Sequence, residues 1–177
     1  MQGNIRREIR KAEKQVEVRD DLGIEGFLDL NIKAYARQGM HLPYSRELVR
    51  RIDSVLEKRN QRRIFSAVDT RGRIHSALYL IWDSNSAFYL MGGSDPSLRN
   101  SGSGSLLMWE AIRFTSSVSR CFDFEGSMLE PIERFFRGFG ARQRQFFSIM
   151  FMNRRVKLLT WYQDVVGRIL GRMGLRR

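Results

Sequence analysis

The chain has 177 residues, 42% of them hydrophobic, which is enough for one domain with a packed core and excludes a low-complexity disordered segment. Lys and Arg number 31 against 19 Asp and Glu, leaving a net charge of +12, so the surface attracts phosphates, whether on a cofactor, an RNA or an anionic membrane. A single cysteine, Cys121, rules out an intramolecular disulfide, and no apolar run is long enough to span a bilayer.

Met1–Val18 is charged throughout and lacks the apolar stretch of a secretory signal. With the lone cysteine, this points to the cytoplasm or the inner face of the membrane. Asn4 to Gln15 (NIRREIRKAEKQ) reads as a basic helix with Asn4 as N-cap and few apolar positions to bury, so residues 1–15 are expected to be a connector or a solvated end. Val16–Val18 alternates like a short strand. Asp21–Arg37 carries Leu22, Ile24, Phe27, Leu28, Leu30 and Ile32 at helical spacing and stops at Gln38-Gly39. A second helix, Ser45–Arg59, follows with Leu48, Val49, Ile52, Val55 and Leu56 as its apolar face.

Arg63–Val68 and Ile74–Trp82 then read as strands joined by Asp69-Thr70-Arg71-Gly72-Arg73, a turn whose glycine supplies a positive φ. Asp83-Ser84-Asn85 turns into a third strand, Ser86–Met91, expected to end at Gly92 and Gly93. Ser94–Gly104 is almost entirely Gly, Ser, Asn, Asp and Pro, and from Ser105 an apolar helical pattern begins. A strand, a glycine-rich loop and a helix N-terminus in that order build an anion site. Its backbone N–H groups are exposed, the helix dipole favours negative charge, and Arg99 supplies a countercharge. In Arg99-Asn100-Ser101-Gly102-Ser103-Gly104 the glycines admit an anion to the main chain, and the Ser103 and Ser105 hydroxyls are further donors. An ordinary serine-rich turn capping an ordinary helix is the plainer account. The spacing is neither that of a P-loop nor that of a dinucleotide fingerprint.

After Ser105–Ser119 come a strand, Arg120–Glu125, a short helix, Pro131–Phe139, and a strand, Arg142–Phe151. A long helix, Asn153–Met173, then carries Leu158, Tyr162, Val165, Val166, Ile169 and Met173 as an apolar stripe among arginines, suited to packing on the domain, on a partner half, or against a membrane surface. This order predicts a mixed α/β layer arrangement.

The residues RNSGSG after a strand and before a helix resemble the pyrophosphate motif R/Q-x-x-G-x-G/A of the GNAT (Gcn5-related N-acetyltransferase) superfamily. FDFEGSMLEPIERFFRGFGA, Phe122–Ala141, together with GGSDP, resembles GNAT-like acyltransferases related to the Fem-type peptidoglycan-bridge aminoacyltransferases. The resemblance implies a mostly antiparallel mixed sheet flanked by helices over residues 16–152, with 153–177 as a basic amphipathic helix. It also implies the second half of a two-half protein, completed by a further GNAT-like half or a second copy. By the same resemblance the donor is acetyl-CoA or another acyl-CoA held by Leu90, Met91, Arg99, Asn100, Ser101, Gly102, Ser103, Gly104 and Ser105. Transfer is direct, to an amine on a small or lipid-linked cell-envelope or polysaccharide precursor, with no metal. The strands Ser86–Met91 and Arg120–Glu125 splay apart around the thioester. Aminoacyl-tRNA is the alternative donor, and a non-catalytic binding half is the alternative to an enzyme.

On Phe122-Asp123-Phe124-Glu125 the period of two puts both carboxylates on one face, where either suits a general base. Glu125 also suits a helix cap or an ion pair with Arg134 or Arg137. Tyr89 and Tyr79 suit protonation of a leaving thiolate or plain core packing. His41, His75 and Cys121 have neither zinc spacing nor a triad arrangement.

Overall fold

The computed structural model describes residues 1–37, 39–127 and 129–145, together with Phe147, Ile149, Phe151 and Asn153. Met1–Gln143 forms one compact unit and Arg144–Arg177 another. The first unit is built on five strands, β1 (Glu17–Arg19), β2 (Arg62–Val68), β3 (Ile74–Trp82), β4 (Ser86–Ser94) and β5 (Cys121–Asp123), lying side by side in chain order. Neighbours from β1 to β4 run antiparallel, whereas β5 runs parallel to β4 and pairs with it only from Ser86–Cys121 to Phe88–Asp123. Helices α1 (Gly3–Ala12), α2 (Ile24–Ala36), α3 (Arg46–Lys58), α4 (Ser103–Val118) and α5 (Glu130–Gly138) complete the α/β arrangement expected from the sequence.

The two-residue period of the central strands divides the core between two faces. Ile64, Ala77 and Tyr79 pack with Phe27 and Leu30 of α2. Phe65, Ala67, Leu78 and Leu80 pack with α1 and α4 through Ile9, Leu106, Leu107 and Ala111. Helix α3 begins at Ser45, whose hydroxyl accepts the Leu48 amide at 3.1 Å. It is fixed to α2 by Arg46 and Arg50 on Glu25 and Asp29, and to the sheet by the Tyr79 hydroxyl donating to buried Asp53 at 2.8 Å.

Helix α1 differs from the expected polar connector. Its helix starts at Gly3, with Gln2 rather than Asn4 in the cap position, and Ile5, Ile9 and Ala12 are buried against α4 and α5 residues. Three apolar residues spaced four and three apart make one narrow stripe, which is enough to seat a helix whose other faces are charged. The Gln2 amide also donates to the Gly138 carbonyl at 2.8 Å, and a side chain at Gly138 would meet Ile5 at 2.8 Å.

Gly92 and Gly93 do not end β4 but continue it, opposite Leu78 and Ala77. The register slips by one residue between Tyr89 and Met91, leaving Leu90 as the extra residue of a β-bulge. At Gly93 a Cβ would lie 3.3 Å from the Asn31 Cα, so this glycine lets α2 lie close against the strand. Of the strand expected over Arg142–Phe151, the described residues form none, and Phe147, Ile149 and Phe151 are exposed. An apolar alternation specifies a strand only where a neighbour takes its hydrogen bonds, and none of the described strands pairs there. The helix expected over 153–173 lies outside the described residues beyond Asn153. Among the described residues no helix is long and apolar enough to cross a membrane.

Candidate functional site

The loop between β4 and α4 is held by its own short-range bonds. The Asp95 amide donates to the His75 carbonyl at 2.9 Å, and Asp95 Oδ1 accepts the Ser97 amide at 2.9 Å and the Ser97 hydroxyl at 2.5 Å. The Ser97 hydroxyl and amide hold the Asp95 carboxyl below the usual carboxylate range. A single tight turn, Arg99–Ser101, follows, and Gly102 at φ 79° passes the chain into α4, which starts two residues earlier than expected, at Ser103.

The two glycines of RNSGSG have different reasons. A Cβ at Gly102 would sit 2.5 Å from the Glu8 carbonyl oxygen of α1, so that position is glycine for its left-handed backbone and for the helix packed on it. A Cβ at Gly104 would meet nothing within 4 Å, and Gly104 lines a cavity. Open space before a bare backbone in the first turn of a helix is what an approaching diphosphate requires. The Arg99 side chain lines the same cavity and makes no ion pair with a described residue. Asn100 is exposed, and its carbonyl accepts the Lys11 ammonium from α1.

Ser101, Ser103 and Ser105 are buried. The Ser103 hydroxyl is shared with Ser76 of β3 and with Ser101, the latter at 3.0 Å. These hydroxyls tie the loop to the sheet, a use that the sequence pattern alone does not separate from ligand binding. Of the two strand residues expected to hold the donor, Leu90 is the bulged residue and the Met91 side chain packs into the α2-side core. The cavity is lined instead by Gly92, Gly93 and Ser94 beyond them.

The cavity, about 300 Å³, lies where β4 runs on without β5 beside it. Ala34 and Arg37 of α2 border it on one side, and Leu107, Met108 and Phe135 of α4 and α5 on the other. Tyr89 projects into it. The place a Cβ at Gly92 would take is filled by the Tyr89 ring and hydroxyl. That hydroxyl has no hydrogen-bond partner among the described residues, and burial, reinforced by neighbouring Tyr35, pushes its pKa up to about 12. It is therefore a neutral O–H donor throughout the physiological range.

Asp123 and Glu125 stand elsewhere. Both are exposed and neither lines the cavity. Asp123 Oδ1 accepts the Glu125 amide at 2.7 Å and so closes the turn after β5, in which Glu125 adopts φ 60°. Arg137, a candidate partner for Glu125, pairs with Glu133 on its own helix. Among the described residues no Asp or Glu lines the cavity.

Four residues at the site were not singled out by the sequence reading, namely Asn31, Ala34, Arg37 and Tyr44. Asn31, buried in α2, donates from Nδ2 to the Gly92 carbonyl at 2.9 Å and accepts the Tyr44 hydroxyl at Oδ1 at 2.9 Å. A lone asparagine on the apolar face of a helix was the available signal, since a buried amide needs partners.

An antiparallel meander whose last strand is met by a parallel neighbour at one end only, with a glycine loop and a helix N-terminus at the gap, is the arrangement of the GNAT fold. A family model described as an acetyltransferase (GNAT) domain matches residues 1–130, and the chain belongs to that family. No curated protein sequence matches it significantly. Among solved structures it is similar to a Trypanosoma brucei acetyltransferase, with TM-score 0.55, 16% identity and coverage of 77% of this chain and 99% of that one. It is also similar to FemX, with TM-score 0.64 and 13% identity, covering 72% of this chain and 49% of FemX. Glucosamine-6-phosphate N-acetyltransferase from Arabidopsis thaliana is a third, with TM-score 0.55, 11% identity and coverage of 78% and 99%. Identities this low speak to the fold alone.

Proposed function

We propose that the chain is an acyl-CoA-dependent N-acyltransferase acting by direct transfer on an amine of a cell-envelope or polysaccharide precursor. The observation that carries this reading is the open backbone at Gly104 in the lining of a cavity that Arg99, which pairs with no described carboxylate, and Tyr89 of β4 also line. Arg99 and the first turn of α4 hold the diphosphate. Gly92, Gly93 and Ser94 present main-chain groups along the cavity, and Leu107, Met108 and Phe135 exclude water from it. The acyl-CoA supplies an activated thioester. A neutral amine forms the new C–N bond as the C–S bond breaks, Tyr89 gives its proton to the departing sulfur, and the proton lost by the amine passes to water and back to Tyr89.

Calorimetric titration with acetyl-CoA tests this. Arg99→Ala is expected to weaken binding by roughly tenfold to a hundredfold, the worth of a charge-assisted hydrogen bond. Absence of binding by the intact chain at low salt would sink the reading. A second reading, that this is a donor-binding half whose chemistry is completed by another half, draws on the lack of a carboxylate in the cavity and on the 49% coverage of FemX. Donor binding without turnover of any amine would favour it. Binding of aminoacyl-tRNA in place of acetyl-CoA would identify the other donor.

A further inference from the structure

Arg37 caps the C-terminal end of α2 and lines the cavity one helical turn beyond Ala34. The sheet sets its position. Glycine at 93 lets α2 lie against β4, and the Asn31 amide bonded to the Gly92 carbonyl and to Tyr44 locks the same stretch of helix, with the loop that follows, to the strand. The Arg37 guanidinium makes no ion pair with a described residue. By contrast, Arg46 and Arg50, which α3 turns toward α2, are both taken by Glu25, and Arg46 also by Asp29. Among the described residues no Asp or Glu lines the cavity, whereas two arginines do, Arg99 beside the glycine loop and Arg37 on the α2 side, neither of them paired with a described carboxylate.

We propose that Arg37 is a specificity residue for the acceptor, and that the acceptor is an amine carrying its own carboxylate or phosphate. This rests on the reading that Arg99 and the glycine loop engage the donor diphosphate, which leaves one cation on the α2 side without a counterpart. A simple alkylammonium meets only positive charge in such a cavity. An amine with an attached anion gains a bidentate contact to the guanidinium. The same cation disfavours the protonated form of a nearby amine, and so raises the fraction able to attack in a cavity that contains no carboxylate base.

The test uses matched amines on the intact chain, without donor present: phosphoethanolamine against ethanolamine, and glycine against glycinamide. The charged member of at least one pair is expected to bind about tenfold or more tighter, and the pair that responds tells phosphate from carboxylate. Arg37→Gln is expected to remove that preference while leaving acetyl-CoA affinity unchanged, and Arg37→Lys to keep part of it. In turnover with acetyl-CoA, Arg37→Gln raises KM for the amine with kcat little altered. Equal binding of charged and neutral amines by the intact chain overturns the proposal, as does a preference that survives Arg37→Gln. It is also overturned if Arg37→Gln weakens acetyl-CoA binding as much as Arg99→Ala does, for Arg37 then belongs to the donor. Failure of the intact chain to bind acetyl-CoA refutes the donor reading separately, since the donor-free amine titrations decide the role of Arg37 on their own.

Discussion

At Gly102 and Gly104 one dipeptide pattern hides two different physical demands, and substitution separates them. Gly102→Val places a Cβ against the Glu8 backbone and forces a β-branched residue to a positive φ, so the expected loss is in folding, read as a lower denaturation midpoint. Gly104→Val fills open space and meets no neighbour, so thermal stability is retained while acetyl-CoA affinity falls at least about tenfold, read by calorimetry on the folded variant. Tyr89 makes a second residue-level case. Tyr89→Phe removes the phenolic hydroxyl proposed to protonate the leaving sulfur, and kcat is expected to fall by about 100-fold with donor affinity preserved. Because burial pushes the Tyr89 hydroxyl up to about 12, it is expected to stay protonated from pH 7 to 10, so the wild-type rate should show no alkaline decline from this group in that range. A decline near pH 9 that Tyr89→Phe abolishes would contradict the assigned pKa.

Helix α1 backs the glycine loop, since its Glu8 backbone abuts Gly102 and Lys11 donates to the Asn100 carbonyl. Ile9→Ala is expected to cost about 2–5 kcal/mol in chemical denaturation, the range for truncating a buried isoleucine, and to weaken acetyl-CoA binding by loosening the loop. A variant that loses stability yet binds acetyl-CoA normally would show that α4 alone orders the loop. The meander β2–β4, helices α2 to α5 and the glycine loop were legible in the sequence because period-two and helical patterns there coincide with turn residues. Helix α1 was misjudged because composition was weighed above spacing, and three apolar residues in one stripe outweigh a charged majority. The run of Asp123 and Glu125 suggested a cleft-facing acid pair, but an alternating strand does not say which of its faces meets the cavity. Nor does the sequence show that β5 stops at Asp123, after which that carboxylate closes a turn. Arg37 and Asn31 escaped notice because they belong to the site only once Gly93 brings α2 against β4, a contact between residues about sixty positions apart.

Across the whole chain the basic charge is unevenly divided. Residues 144–177 contain eight Lys and Arg and one acidic residue, and so carry seven of the twelve net positive charges in about a fifth of the length. The cavity is lined by residues of the other unit, Met1–Gln143, whose charge is far more balanced and whose α2–α3 surface is laced with ion pairs. On the proposed donor reading, binding of a compact diphosphate there depends on Arg99 and a helix terminus, and so on few counterions. A polynucleotide or an anionic membrane responds instead to the summed charge, with an affinity that falls steeply with salt. Changing Arg168, Arg172, Arg176 and Arg177 to Gln in the full-length chain is therefore expected to leave acetyl-CoA affinity within about twofold. The same change should lower binding to single-stranded RNA and to anionic vesicles by about tenfold or more at low salt, as four phosphate-directed charges are lost. If acetyl-CoA affinity fell in parallel, donor binding would itself follow the summed charge, and the assignment of the diphosphate to Arg99 and the first turn of α4 would fail.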